Sequence, residues 1–252
     1  MSFDVVAELD VPHRPDLAPV RRQVTTLGTQ TRRFLVPDAP TGRAAVAGLA
    51  VAAAVRGEGA EVVAVLNARD RNRTGLQRDL LGLLALGVHD VLLVRGDRPE
   101  DTAEDGPLRV SEMLDEARAL AAEHDAELRV AVAAALDRDL VAWKRSADAI
   151  YLAPGFSVDA VVAWRERHDV TVPVRAGVIV PTGPDMARSV AGGLDLTLPD
   201  GLLDALGDDP EAGVDAACAH VLALREAGVV DGVHLVAISR YAGVAQRLNG
   251  LL

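Results

Sequence analysis

Strand-like and helix-like segments alternate along the whole of this sequence, with a repeat of roughly thirty residues. The strand-like segments are short and mostly apolar, which is typical of parallel strands buried on both faces. They lie at residues 5–9, 33–36, 62–66, 91–94, 128–133, 149–152, 174–179 and 233–238. Helices are predicted at residues 17–26, 41–56, 72–86, 111–123, 138–146 and 157–167, in a longer region ending near Ala227, and at 241–248.

Eight consecutive strand-then-helix units predict a (β/α)8 barrel. The length of 252 residues suits one such barrel, so we expect a single domain over residues 1–252. The alternative is an open doubly wound sheet, but no G-x-G-x-x-G pattern follows the first strand.

The charge balance limits the partners of the chain. Lys and Arg number 26 against 37 Asp and Glu, a formal net charge of −11, which argues against nucleic acid or an anionic membrane as a partner. The one cysteine, Cys218, lies in an apolar helical pattern and is expected in the core, not in a disulfide or a metal site. The first residues do not resemble a signal peptide, and the alanine-rich residues 44–55 are too short to span a bilayer. We therefore expect a soluble, cytoplasmic protein.

Polar and turn-forming residues follow most of the predicted strands. The carboxyl ends of parallel strands are where α/β barrels place their chemistry. Several carboxylates gathered there suit a cationic intermediate or a heterocycle rich in N–H donors. The residues at these positions are Glu8, Asp38, Asn67, Arg95, Asp97, Pro154, Gly155, Pro181, Ser239 and Arg240.

Residues 66–97 combine a strand end, a polar loop, a helix, a glycine turn and a second strand. They read LNARDRNRTGLQRDLLGLLALGVHDVLLVRGD. The segment resembles the RDRN…LQ…LLG…LG…NVL…GD signature of methylenetetrahydrofolate reductases, especially the short bacterial members. The matching residues are Arg69, Asp70, Arg71, Asn72, Leu76, Gln77, Leu80, Leu81, Gly82, Gly87, Gly96 and Asp97. Asn72 or Asp70 is also suited to cap the helix, and Asp70 to pair with an arginine.

The resemblance implies roles for three residues outside or at the end of this segment. Glu8, in AELDVP, matches a glutamate proposed to donate a proton that opens the methylene bridge of the folate. Asp97 matches an aspartate that contacts both cofactor and pterin and stabilises positive charge. Arg240, in GVHLVAISR, matches an arginine suited to the folate tail.

Each of these residues also has a structural alternative. Glu8 can bond a neighbouring strand or an arginine, Asp97 can cap a turn, and Arg240 can pair with an acidic loop. His234 matches the family too, but its place at the start of the last strand predicts a structural role at the far end of the barrel. Asp38 is expected to support the pocket or to cap the second helix.

The resemblance also implies a hydride donor, NAD(P)H, acting directly or through FAD. The expected cofactor contacts are Asn67, Arg95, Asp97, Ala135 and Lys144, and the expected substrate contacts are Asp97, Arg240 and Gly155. Lys144 has the alternative of a solvated surface lysine.

The sequence departs from the family at several of these places. Val65 replaces a flavin-contacting histidine, Gly155 replaces a folate-binding glutamine, and residues 133–135 are alanines where a flavin-stacking tyrosine lies. Either the hydride passes directly from nicotinamide to folate, or the substrate has changed.

Three functional hypotheses follow. The first is a methylenetetrahydrofolate reductase-like oxidoreductase that acts on 5,10-methylenetetrahydrofolate or a related pterin, with a nicotinamide nucleotide as its second small-molecule partner. The second is a folate-linked one-carbon transferase without redox chemistry. The third is a degenerate barrel that binds a ligand or partner, and a homo-oligomer is compatible with all three.

Overall fold

A computed structural model describes residues 3–40, 43–96, 108–194 and 196–251. Eight parallel strands in these ranges form a closed barrel in sequence order, and β8 pairs with β1 to complete it. The strands are β1 Asp4–Glu8, β2 Arg33–Val36, β3 Glu61–Asn67, β4 Asp90–Val94, β5 Arg129–Ala134, β6 Ala149–Gly155, β7 Val174–Ile179 and β8 Gly232–Val236. The predicted (β/α)8 fold is confirmed.

Helices connect the strands around the outside of the barrel. They are α1 Ala18–Leu27, α2 Gly48–Gly57, α3 Arg73–Ala85, α4 Val110–Glu123, α5 Val158–Arg167, α6 Pro184–Leu194, α7 Leu202–Asp208, α8 Ala212–Ala227 and α9 Tyr241–Leu248. Among the described residues, no helix is both long enough and apolar enough to cross a membrane.

Three helix predictions need correction. The second helix begins at Gly48, not near residue 41, because the preceding Ala47, at φ −54° and ψ +133°, is not helical. The segment predicted at 138–146 contains only a short 3-10 helix, Ala142–Ser146. The long region ending at Ala227 consists of three helices, since Pro199 and the left-handed Gly201 at φ +73° form a turn before α7.

The barrel interior is filled by side chains in layers. A middle layer is apolar, and it comprises Val6, Leu35, Val63, Leu92, Ala131 and Tyr151. Because side chains alternate across a strand, Asp4 and Glu8 share the inward face of Val6. Charged groups therefore lie below this layer, at the amino ends of the strands, and above it, at the carboxyl ends, which we call the barrel mouth. The larger core lies between the strands and the helices and contains Cys218, as predicted.

Candidate active site at the barrel mouth

Glu8 and His234 form a hydrogen-bonded pair inside the barrel mouth. The β1–β8 register pairs Val6 with His234 and Glu8 with Val236. Glu8 therefore lies two residues further along β1 than the residue that faces His234, on the same side of the sheet. His234 Nε2 lies 2.7 Å from Glu8 Oε2. The side chains retain 11% and 21% of their exposure, so the pair is largely shielded but reachable from the mouth. The prediction that His234 lies at the far end of the barrel is wrong.

Asp10 adds a second carboxylate at the same point of the mouth. Its Oδ2 accepts a hydrogen bond of 2.7 Å from the backbone N–H of Ser239, in the β8–α9 turn. The buried Gln23 side chain bonds both the N–H and the carbonyl of Asp10, at 2.7 and 3.0 Å. Burial raises the pKa of Asp10, the Ser239 N–H opposes that rise, and the nearby Glu8 charge adds to it. Asp10 and Gln23 are not among the predicted site residues, although the Glu8-x-Asp10 spacing places both carboxylates on one side of the chain.

The β8–α9 turn that Asp10 holds has an unusual backbone. Ile238 and Ser239 have φ angles of +39° and +58°, in the left-handed region that non-glycine residues rarely occupy. Such conformations persist only when neighbouring contacts enforce them, and they are frequent at functional sites. The Asp10–Ser239 hydrogen bond supplies one such contact beside the Glu8–His234 pair.

A charged network joins the ends of β2 and β3. The Asn67 side chain is fully buried and donates to Asp38 Oδ2 at 2.6 Å and to Asp70 Oδ2 at 3.2 Å. Arg71 bonds Asp38 and, through Nε, Asp79 at 3.0 Å. The network accounts for Asp38, which braces the loop after β3 and does not cap the second helix. Since both amide hydrogens of Asn67 are used within the protein, the structure gives no support to its predicted cofactor contact.

The start of α3 agrees with a structural role of Arg69, Asp70, Arg71 and Asn72, in helix capping and ion pairing. Asn72 caps the helix, because its Oδ1 accepts a hydrogen bond from the Gly75 N–H at 2.8 Å. Asp70 pairs with Arg69, which holds the pKa of the Asp70 carboxyl below its usual range. A cavity of about 400 Å³ opens beside this helix start. Several of its charged lining groups are already paired with one another, as the contacts of Arg71 show.

The end of β4 approaches the network closely. Gly96 has φ +88°, and a Cβ atom there would lie 3.0 Å from Asn67 Cβ. Glycine is therefore required for both the backbone angle and the close approach. Arg95 is exposed, and its carbonyl accepts a hydrogen bond from the Arg69 N–H at 3.2 Å. Asp97 lies outside the described residues, so its predicted catalytic, substrate and cofactor roles stay predictions.

The β5 and β6 side of the mouth is lined by small residues. Lys144 is half-buried and donates to the Ala133 carbonyl at 2.6 Å, and burial lowers its pKa, so the alternative of a solvated surface lysine is wrong. Ala135 lines a shallow cavity of about 160 Å³ together with residues of α6. Gly155 is buried, and a Cβ there would come within 2.8 Å of Leu136 Cδ1. Gly155 therefore offers a ligand only backbone atoms.

Arg240 forms an ion pair with Glu211, which agrees with its predicted alternative of pairing with an acidic loop. Its Nη1 lies 3.2 Å from Glu211 Oε1, just before α8. The side chain keeps about a third of its exposure, so the pairing does not bury the guanidinium.

These residues do not fit a flavin. Val65 packs against the apolar middle layer of the barrel, where the family has a flavin-contacting histidine. The Asn67 amide and the Ala133 carbonyl are both used within the protein. Within the described ranges, no group of three or more His, Cys, Asp or Glu side chains is arranged to hold a metal ion.

Neither a protein-family model nor a curated protein sequence matches the chain. Solved structures do resemble it. A Clostridium thermocellum protein, described as uncharacterized and as binding two copies of 5-methyl-5,6,7,8-tetrahydrofolic acid, has a TM-score of 0.68 and 9% identity, covering 100% of this chain and 96% of that one. Tryptophan synthase from M. tuberculosis has a TM-score of 0.56 and 13% identity, with 98% and 93% covered. The corresponding values for 2,3-dimethylmalate lyase are 0.56, 11%, 97% and 79%.

These likenesses show the fold alone. The three proteins differ in what their descriptions say they bind or catalyse, as expected of a barrel that hosts many chemistries. Any function of this chain must therefore be argued from its own site.

Proposed function

We propose that this barrel binds a reduced folate at its mouth and transfers a hydride from NAD(P)H to 5,10-methylenetetrahydrofolate, as methylenetetrahydrofolate reductases do. The observation that carries the proposal is the Glu8–His234 pair, a partly shielded carboxyl group held at 2.7 Å from an imidazole at the mouth. Such a group is placed to supply the proton that opens the methylene bridge.

Two further observations support this choice of substrate. Residues 66–97 resemble the reductase signature at twelve spaced positions. A barrel of similar fold from Clostridium thermocellum is described as binding 5-methyl-5,6,7,8-tetrahydrofolic acid, which is the product of the proposed reaction. The first observation rests on the sequence and the second on the fold, so each supports the proposal independently.

The proposed reaction needs one proton and one hydride. Glu8 gives its carboxyl proton to the bridge nitrogen that leaves, and the C–N bond breaks to form an iminium on the other nitrogen. The hydride of NAD(P)H adds to the iminium carbon, giving the methyl product and NAD(P)+. Nearby carboxylates, among them Asp10, lower the energy of the cationic iminium.

We propose that the hydride passes directly from the nicotinamide, because the residues at the flavin positions do not fit a flavin. Arg95, Lys144 and Ala135 are the proposed nucleotide contacts, and Arg240 and the Gly155 backbone are the proposed folate contacts. Asp97, which lies outside the described residues, is the proposed contact of both the nucleotide and the folate, where its charge would stabilise positive charge. Whether NADH or NADPH is preferred is an outcome of the assay below.

The test is oxidation of NADH or NADPH by the purified protein with and without 5,10-methylenetetrahydrofolate. We expect folate-dependent oxidation that forms 5-methyltetrahydrofolate, and a loss of about 10²- to 10⁴-fold in kcat for Glu8→Gln. Asp185→Asn is the matched control, because its carboxyl is fully exposed on α6. Folate binding without NAD(P)H oxidation would indicate a one-carbon transferase or a non-catalytic binder instead.

A further inference from the structure

Glu8 must regain a proton after each turnover of the proposed reaction, and its nearest partner in the structure is His234. We propose that His234 is a positioning residue that fixes the Glu8 carboxyl in the barrel mouth and returns its proton. This inference rests on the proposed function and goes beyond it, since the folate and the nicotinamide do not contact His234 in the scheme above.

The geometry confines the imidazole to one orientation. His234 lies on β8, directly beside Val6 in the strand register, so its backbone is fixed within the barrel wall. Its ring meets the Tyr151 ring edge-on, with centroids 5.9 Å apart and planes at 61°. Because the Tyr151 ring packs under the imidazole and β8 holds its backbone, Nε2 is directed at Glu8 Oε2.

The packing beneath the imidazole is itself braced. The Arg175 guanidinium lies 5.4 Å from the centroid of the Tyr151 ring, and Arg175 bonds Asp4 at 2.7 and 3.0 Å. Burial raises the pKa of Tyr151, so the phenol stays neutral and does not exchange protons with the imidazole at neutral pH. The described titratable and charged groups around His234 are Glu8 in direct contact, Asp10 two residues past the end of β1, Tyr151 on β6 and Arg175 on β7.

The proton balance follows from this arrangement. Glu8 donates its proton to the folate nitrogen and becomes a carboxylate. Protonated His234 then gives its Nε2 proton to Glu8 Oε2 and becomes neutral, and the imidazole takes up a proton from water entering the mouth. One proton is consumed per hydride transferred, as the overall reaction requires.

The test compares His234→Gln with wild type by pH–rate profile, kcat, KM and binding of 5-methyltetrahydrofolate. We expect kcat to fall about 10- to 100-fold while KM for folate changes less than about threefold. A limb of the wild-type pH–rate profile should be missing in the variant, because the glutamine cannot exchange a proton with Glu8. His89→Gln is the matched control, because His89 is partly exposed, lies just before the amino end of β4, opposite the mouth, and its imidazole contacts the Glu127 carbonyl.

The outcomes separate this inference from the proposed function. A wild-type protein without folate-dependent NAD(P)H oxidation overturns both. An active wild type whose His234→Gln variant keeps the same pH profile and kcat overturns only the role of His234. If His234→Gln does not fold, nitrogen-15 NMR of wild type and Glu8→Gln decides: the signal of the Nε2 proton shared with Glu8 must be present in the first and altered in the second, and identical spectra overturn the proposal.

Discussion

At the scale of single residues, two acidic side chains organise the mouth. They are Glu8, at the end of β1, and Asp10, two residues beyond it. The resemblance to the reductases predicted Glu8, but only the strand register revealed its partner His234. The sequence places His234 early in the last strand. It does not show that the last strand is Gly232–Val236, in which His234 is the middle residue, pairs with Val6 and lies two residues below the level of Glu8. That pairing of β8 with β1 depends on closure of the barrel, which local sequence patterns do not encode.

The pH dependence of stability tests the environment of Asp10. Its pKa is raised in the folded protein above the ordinary value of 3.8, chiefly by burial. Between the unfolded-state pKa and the raised folded-state pKa, the folded state binds more protons than the unfolded state. Ionisation of Asp10 therefore lowers the free energy of unfolding as pH rises through this range. We expect Asp10→Asn, which keeps an acceptor for the Ser239 N–H, to raise the free energy of unfolding at pH 7 but not at pH 3.

Urea unfolding of both proteins at the two pH values measures this difference. Asp185→Asn again serves as control, since its fully exposed carboxyl should give no pH-dependent gain. A larger gain for Asp10→Asn at pH 3 than at pH 7 would contradict the account of Asp10.

At the scale of elements, the strands were predictable and the connections were not. Buried parallel strands are recognisable because each is a short apolar run between polar segments. The segment at 138–146 has helical composition but only one short 3-10 turn, because tertiary contacts such as that from Lys144 to the Ala133 carbonyl outweigh its weak helix preference. Asn72, by contrast, caps α3 as predicted, since that hydrogen bond is local to the sequence.

The start of α8 depends on a glycine. A Cβ atom on Gly213 would lie 1.8 Å from the Pro181 carbonyl oxygen, in the loop after β7. This close approach places Glu211, just before α8, within reach of Arg240. We expect Gly213→Ala to cost about 3 kcal/mol or more, because the obstructing atom is backbone and cannot rotate away.

Thermal unfolding provides the measurement for Gly213→Ala. The control is Gly207→Ala on the adjacent helix α7, where a Cβ meets nothing within 4 Å and a gain of about 0.5 kcal/mol is expected. Equal effects of the two substitutions would contradict the proposed close contact.

At the scale of the whole molecule, the two ends of the barrel carry different kinds of charge. At the amino ends of the strands, Arg33 bonds both Asp4 and Asp90, at 3.1 and 2.8 Å. Asp90 also receives two hydrogen bonds from Arg129, and Asp4 receives Arg175. The network links β1, β2, β4, β5 and β7 and lies opposite the mouth, where barrels keep residues that serve stability.

Removing the Asp90 charge tests this network. Burial acts to raise the pKa of Asp90, but Arg129 and Arg33 outweigh it and hold the pKa below 3.8. The stabilisation is therefore present above that pH and is lost as pH falls through the lower, folded-state value. We expect Asp90→Asn to lower the free energy of unfolding by about 1–3 kcal/mol at pH 7. This is less than the loss when a fully buried ion pair is broken, because Arg129 is half-exposed.

Chemical denaturation at pH 7 and at about pH 2 tests the Asp90 prediction. The two proteins should differ at the first pH and converge at the second, and an undiminished difference in acid would show that the carboxylate charge is not the source. Enzyme turnover, if the proposed function holds, should change little, since Asp90 is at the opposite end from the mouth.

Direct hydride transfer beside Glu8 and His234 can be followed with an isotope label. NADH or NADPH carrying deuterium at the transferred position is incubated with the protein and 5,10-methylenetetrahydrofolate in ordinary water, and the methyl product is analysed by mass spectrometry. Direct transfer from the nicotinamide places one deuterium in each new methyl group. A methyl group without deuterium, as an exchangeable flavin carrier would give, or no methyl product at all, would contradict it.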